Sequence, residues 1–497
     1  MKTMLEALSR QAEIRPGAPA FCDTDETLTF SDVARISDAA GSALIRCGAS
    51  HEAILIFTGR SAREITLFFA VWKAGCFYVP VDAEMGENRI RSILERVRPR
   101  FAIADEPGAK LLSAYGFSGE TLDPGALIAE SPDCGALNAV QRAMLDVDPA
   151  YLVFTSGSTG APKGVVGCHR AVCDYAAQIT NTLRVNETDV FAMQAPLYVD
   201  ACLKEILSAL LCGSSAVLVP KRLFMTPVPL VRFLNEHRVT ALCWVVPALT
   251  LISALHTFDE IVPEHLRIVA FGSEVMPPKQ LRIWQRHVAA RYINLYGPTE
   301  CTGMSCSYEV DRTFEDGERI PIGRAFDNAE IFLLDETDRC ADEGEICIRG
   351  TSVTFGYYRD PERTAKAFVQ NPLNPDYPET VYRTGDHGRW NARGELEFLG
   401  RKDDQIKHMG HRIELGELEA AAKSIEGVNA ACAVFDRERS ILGLVYTGAI
   451  ERTALLVELR RRVPEYLLPK MSRCVDALPL TQNGKTDRKA AATLLFR

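Results

Sequence analysis

Residues 151–164 read YLVFTSGSTGAPKG, and the rest of the chain reads as a means of using them. Tyr151, Leu152, Val153 and Phe154 form a short apolar run of β-formers bounded by polar residues, the pattern of a buried strand. Thr155, Ser156, Gly157, Ser158, Thr159 and Gly160 follow, and Pro162, Lys163 and Gly164 close the string. Glycine lets backbone N–H groups approach an anion, the hydroxyls add donors, and Lys163 adds positive charge. A polyphosphate wants all three. A Gly/Ser surface loop is the plain alternative, but this one leaves a buried strand directly and ends in Pro-Lys-Gly. It is not a Walker loop, which needs Gly-Lys-Ser/Thr.

Outward from that stretch, short apolar strands alternate with helical periodicity. Residues 53–58, 100–104, 216–219, 267–270 and 292–295 read as strands, and residues 63–73 as a helix. Leu28, Thr29, Phe30, Ser31 and Asp32 read as a strand, an N-cap and the start of another helix. Alternation through residue 300 predicts parallel sheets covered by helices. From 321 to about 400 the texture changes to strands joined by Gly, Asp and Asn turns, a β-rich part of the same domain. A polar junction, GRKDDQ at 400–405, then precedes a small α+β unit. The expected fold is α/β, with a large N-terminal domain over 1–402, a mobile C-terminal domain over 403–497, and a hinge at 401–404.

Composition narrows the class. At 497 residues, 47% hydrophobic and 24% charged, the chain is expected to be soluble and to hold two or more domains. A net charge of −9 argues against nucleic acid as a partner. Fifteen Cys without a C-x-x-C pair or a secretion signal point to a reducing cytoplasm. The N-terminus places Leu5, Leu8 and Ala12 at helical spacing, an amphipathic helix. Residues 239–255, VTALCWVVPALTLISAL, are the best membrane candidate, but Pro247 divides them into a buried strand and a helix. No membrane span is expected.

Two further turns follow apolar strands, where parallel sheets bind ligands: AFGSE at 270–274 and NLYGPTE at 294–300. Gly272 and Ser273 alone read as an ordinary turn. Gly272, Ser273, Glu274, Asn294, Tyr296, Gly297 and Thr299 nonetheless join the candidate ATP contacts, with Tyr296 against the adenine. Glu300 is a candidate Mg²⁺ ligand, since this hard cation takes oxygen ligands and shares substrate phosphates. In YRTGD at 382–386, the carboxylate of Asp386 suits two ribose hydroxyls or simply finishes a turn. Arg401 is a second ribose or phosphate contact, Phe398 covers the base, and NGKTDR at 483–488 projects Lys485.

Taken together, KAGCFYVPVD, TSGSTGAPKG, YGPTE, GEICIRG, YRTGD, GRKDDQIKHMGHRIELGELE, PEYLLPKM and NGKTDR, in this order, resemble the adenylate-forming superfamily along nearly the whole chain. The wording is most similar to the amino-acid-activating domains of non-ribosomal peptide synthetases and to stand-alone D-alanine ligases. The resemblance implies Lys485 as the catalytic lysine beside Lys163, Asp386 on the ribose, Glu300 on Mg²⁺ and Asp403 as the hinge. It also implies that Asp200 holds the substrate ammonium, in a short pocket lined by Ala201, Lys204, Trp244, Val269, Phe271, Leu295, Gly303 and Met304. Lys204 pairs with Glu205 or Asp200, meets an acidic or polar substrate side chain, or snorkels outward. Ser273 and His387 depart from the usual wording of their motifs.

The implied reaction is ATP- and Mg²⁺-dependent formation of an aminoacyl-adenylate from a small amino acid, within natural-product biosynthesis. Transfer to the phosphopantetheine thiol of a carrier protein follows. The chain ends soon after NGKTDR, so a separate carrier is expected. The rivals are an acyl-CoA synthetase, which would lack the carboxylate of Asp200, and an inactive module that only docks carriers.

Overall fold

The strand at the head of the phosphate-type loop is Pro149–Thr155, with residues 150–154 buried. In the computed structural model, which describes residues 1–155, 162–401, 405–437, 439–479 and 486–496, the chain returns beside it as Lys163–Cys168. The two strands are antiparallel, with Thr155 opposite Lys163 and Phe154 opposite Gly164. Lys163 therefore opens a strand, where the sequence places it at the end of a loop. A Cβ on Gly164 would lie 2.8–3.0 Å from the side chains of Leu152 and Phe154, so the close pairing requires glycine there.

This hairpin edges a six-stranded sheet that continues in parallel through Phe77–Pro80, Ala53–Phe57, Phe101–Ala104 and Glu120–Leu122. A nine-stranded sheet faces it, with Arg291–Tyr296, Ile268–Gly272, Ala241–Val245, Val190–Met193, Ser215–Leu218 and Pro19–Cys22 parallel. Helix Ala62–Lys73 buries Ile65, Phe68, Phe69 and Trp72 in a core shared by Phe21 of one sheet and Tyr78 of the other. Trp72 Nε1 donates to Ala150 O at 2.7 Å, tying that helix to the loop-bearing strand.

Local chemistry sets the element ends. Helix Phe30–Arg46 begins on a reciprocal cap in which Thr29 and Asp32 satisfy each other's backbone N–H groups. Residues 239–255 split as Pro247 dictates, into strand Ala241–Val245 and helix Val246–Ala254. Among the described residues no helix is long and apolar enough to cross a membrane.

A five-stranded sheet of Ala329–Leu334, Glu343–Gly350, Phe368–Gln370, Thr380–Trp390 and Leu396–Arg401 forms the β-rich part. The C-terminal unit has a core of its own, in which Ile413, Leu418, Leu444, Tyr446 and Leu459 pack together. Its strands Val428–Asp436, Ile441–Gly448 and Met471–Cys474 form one sheet, and a separate hairpin, Gln405–His408 with His411–Glu414, reaches toward the larger body.

Candidate active site

The carboxyl ends of the parallel strands deliver Val245, Ser273 and residues 297–299 to one cleft, the expected place for a ligand in such a sheet. Thr155 lines the cleft from the other sheet, while Thr384, Asp386 and Arg401 line it from the β-rich part. The hairpin of the C-terminal unit closes it with Gln405, Lys407 and residues 409–412.

Asp386 and Arg401 meet because they stand opposite each other in an antiparallel pair. Asp386 Oδ1 accepts from Arg401 Nη1 at 2.5 Å and Oδ2 accepts from the Tyr296 hydroxyl at 2.6 Å. Burial first, and then the charge of Asp386, push the Tyr296 phenol up, so it stays a donor. The Tyr296 ring lies 6.2 Å from that of Phe398, and the Lys407 ammonium sits over it at 5.6 Å. A narrow apolar cavity beside the ring, lined by Asn294, Ile320, Ile322 and Phe398, suits a flat base. Gly272 lies where a Cβ would stand 2.5 Å from Leu295 O. Ser273 next to it holds φ +71°, a strained conformation for a non-glycine residue. That explains why glycine would be the ordinary choice at 273.

Glu300 is fully buried and ringed by cations from distant segments. Arg412 Nη1 donates to both its oxygens at 2.9 and 3.1 Å, the Tyr357 hydroxyl donates to Oε1 at 2.7 Å, and Lys163 Nζ stands 3.8 Å away. Burial alone would raise the Glu300 carboxyl, but Arg412 and Lys163 overcome it and hold it at about 2. Lys163 is pushed down to about 8, first by burial and then by Arg412. Both oxygens of Glu300 are thus in use, and no group of three His, Cys, Asp or Glu among the described residues could hold a metal ion. With Arg412 in place the expected Mg²⁺ ligand does not fit a cation. Thr155 Oγ1, buried without a partner at the root of the loop, is a donor left over for a phosphate.

Asp200 faces the same cleft, with Ala201, Gly303 and Met304. It is 8% exposed, and Oδ1 accepts from Thr299 Oγ1 at 3.0 Å. Burial raises its carboxyl above the usual range. Gly303 has φ +88°, and a Cβ there would stand 3.1 Å from the Tyr175 ring.

The rest of the expected pocket lies elsewhere. Trp244, Val269 and Phe271 share one face of the large sheet and pack with Leu230, Leu249 and Trp284. Trp244 Nε1 donates to Ala192 O at 2.7 Å. Leu295 is buried in the core between the sheets. Lys204 is buried too, and donates from Nζ to Ala201 O at 2.7 Å. None of these five residues lines the cleft. Strand alternation assigns Trp244, Val269 and Phe271 to the helix-covered face, and the Lys204 ammonium, hydrogen-bonded to Ala201 O, acts electrostatically on both Asp200 and Glu205. Ser156, Gly157, Ser158, Thr159, Gly160, Asp403 and Lys485 lie outside the described residues.

Sequence reasoning missed the hairpin as part of the site. Gly410 N donates to Glu274 Oε1 at 2.7 Å, and a Cβ on Gly410 would come within 2.6 Å of Val245. The signal was the Gly-His-Arg inside GRKDDQIKHMGHRIELGELE. Its partners stand more than 100 residues away.

Residues 8–358 match the family described as AMP-binding enzyme. Over 500 residues the chain is 30% identical to tyrocidine synthase 1 of Brevibacillus parabrevis, a match that covers 98% of this chain and 45% of that protein. The chain therefore spans less than half the length of that curated relative. Among solved structures, IdnL1 superposes with a TM-score of 0.81 at 29% identity, covering 96% of this chain and 99% of IdnL1. The Vibrio cholerae adenylation domain AlmE, solved with glycyl-adenosine-5′-phosphate, superposes with a TM-score of 0.85 at 22% identity, covering 99% of this chain and 97% of AlmE.

Proposed function

Because the chain belongs to the AMP-binding enzyme family, we propose that it activates a small amino acid with ATP and passes it to the phosphopantetheine thiol of a carrier protein. The observation that carries the reading is Asp200, a buried carboxylate that meets a single hydroxyl in the cleft shared with Asp386, Arg401 and Thr155. A buried anion so placed is complementary to a substrate ammonium, and an enzyme for fatty or aryl acids has no use for one.

In the first step a substrate carboxylate oxygen attacks the α-phosphorus of ATP, and the bond to pyrophosphate breaks. Two anions must meet, so positioning and charge compensation carry the step. We assign Lys163 and Thr155 to the phosphates of a nucleotide seated on Asp386 and Tyr296, a reading supported by the unpartnered hydroxyl of Thr155. Lys485 supplies the remaining positive charge by resemblance. In the second step the thiol sulfur attacks the acyl carbon, its proton is released, and the bond to AMP breaks. Mg²⁺ and Arg412 make the same demand on Glu300, so we assign the ion no step in the arrangement described. A small domain that turns about residues 401–404 reconciles the two steps, since Lys485 is needed at the phosphates first and the thiol needs the same carbonyl afterwards.

ATP–pyrophosphate exchange across an amino-acid panel tests the reading, with loading of a carrier protein compared with coenzyme A. One small amino acid should support exchange, and the carrier should outcompete coenzyme A as acceptor. Lys485→Ala should lower exchange by about 10²–10³, the usual cost of one preorganised donor. Exchange with carboxylic acids lacking an amino group would overturn the proposal.

A further inference from the structure

The hairpin that carries Arg412 is tied to the larger body by a second contact, on the wall of the same cleft. Helix Glu87–Val97 of the body presents Arg89, which is 7% exposed. Arg89 Nη2 donates to Phe154 O at 3.0 Å, at the end of the strand that leads into the phosphate-type loop. Its Nη1 donates across to the C-terminal unit, to the Tyr466 hydroxyl at 3.1 Å and to Glu417 Oε1 at 3.4 Å. Glu417 is itself buried. The ring of Tyr466 stacks on His411 at 3.7 Å and 5°, and His411 precedes Arg412. A continuous set of contacts thus runs from Phe154 through Arg89, Tyr466 and His411 to the residue that holds Glu300.

A buried guanidinium is costly unless its partners are in place. Phe154 O belongs to the body and stays with Arg89 whatever the small unit does. Glu417 and Tyr466 are lost to it once that unit turns away. Helix Glu87–Val97 carries no other residue with buried polar partners in the C-terminal unit among the described residues.

We propose that Arg89 is a positioning residue for the transfer half-reaction, a latch that holds the C-terminal unit with Arg412 on Glu300. The proposal rests on the two-step reading above, but its main test does not depend on the substrate. In the unliganded protein, amide hydrogen exchange over residues 405–414 should speed up about tenfold or more in Arg89→Met, as expected when a buried pair is broken. Residues 53–57 should exchange as before. Glu417→Gln, which keeps size and shape, should act in the same direction and exclude misfolding as the cause.

In the enzyme assay, single-turnover transfer from preformed adenylate to a pantetheine thiol should fall about tenfold or more in both variants, while ATP–pyrophosphate exchange stays within about twofold in Glu417→Gln, whose side chain is outside the cleft lining. Unchanged protection of residues 405–414 would overturn the latch even if no amino acid were turned over. So would equal loss of both half-reactions with protection intact. Absence of exchange in the wild-type protein would count against the functional reading and leave the hydrogen-exchange test of Arg89 standing.

Discussion

Asp200 lines the cleft and Glu300 is fully buried beside it, and the two carboxylates sit in opposite electrostatic states. Around Glu300 the chain has gathered Arg412, Lys163 and Tyr357 from three distant segments, and the group stays ionised at about 2 against its own burial. Asp200 receives one hydroxyl from Thr299, and burial drives it the other way. A carboxylate already neutralised by the chain's own cations is a docking point for that chain. One that keeps a hydroxyl and only the through-space pull of Lys204 can still take a cation from outside. On the proposed reading, the contrast separates seating the C-terminal unit from recognising a substrate amine.

The sharpest break of this contrast is Glu300→Gln. It removes the buried carboxylate that Arg412 and Lys163 share, and should cost about 3–5 kcal/mol of stability, read by denaturant unfolding. A loss below about 1 kcal/mol would mean that water already serves those cations. Asp200→Asn should leave stability unchanged or slightly improved, because it removes a carboxylate disfavoured by burial. The same variant should lower kcat/KM for the amino acid by about 10²-fold through loss of an ammonium partner. If kcat/KM stays near the wild-type value, the ammonium binds elsewhere.

Acid sharpens the comparison. The Asp200 carboxyl is raised, so it takes up a proton at milder acidity than an exposed aspartate. The ionised form that holds an ammonium is present above that raised value and is lost as pH falls through it. KM for the amino acid should therefore climb as pH falls toward that raised value, at milder acidity than an exposed aspartate would require. The Glu300 carboxylate, held at about 2, should stay ionised on Arg412 over the same range. The smallest effect is expected from Lys204→Met. Its ammonium donates to Ala201 O and it stands outside the cleft lining, so amino-acid preference across a panel should shift by less than about tenfold, the worth of one neutral contact. A larger shift would return Lys204 to the substrate pocket.

Much of this was legible in the sequence where local chemistry decides. The apolar run at 151–154, the strand-to-helix change within residues 28–32 and the break at Pro247 act within a few residues, and each appears where it was read. Asp386, Thr299 and Asp200 line one cleft, but only Thr299 follows a parallel strand, while Asp386 stands on an antiparallel one and Asp200 on a short helical turn. Two kinds of information were missing. Strands buried on both faces show no alternation, so nothing in ALCWV or IVAFG tells which side chains face a ligand. Trp244, Val269 and Phe271 were misplaced for that reason. Long-range docking was invisible as well: nothing near Arg412 announces a partner 112 residues earlier, or near Arg89 one 328 residues later.

The tip of the hairpin carries a consequence of its own. Gly410 seats against Val245 with no room for one more carbon, so Gly410→Ala would act as a doorstop under the C-terminal unit. On the proposed reading, an enzyme wedged ajar would still charge its amino acid, yet water would reach the mixed anhydride before any thiol did. Such a variant would burn ATP to AMP without product, and the waste would measure how tightly the wild-type closure couples its two reactions.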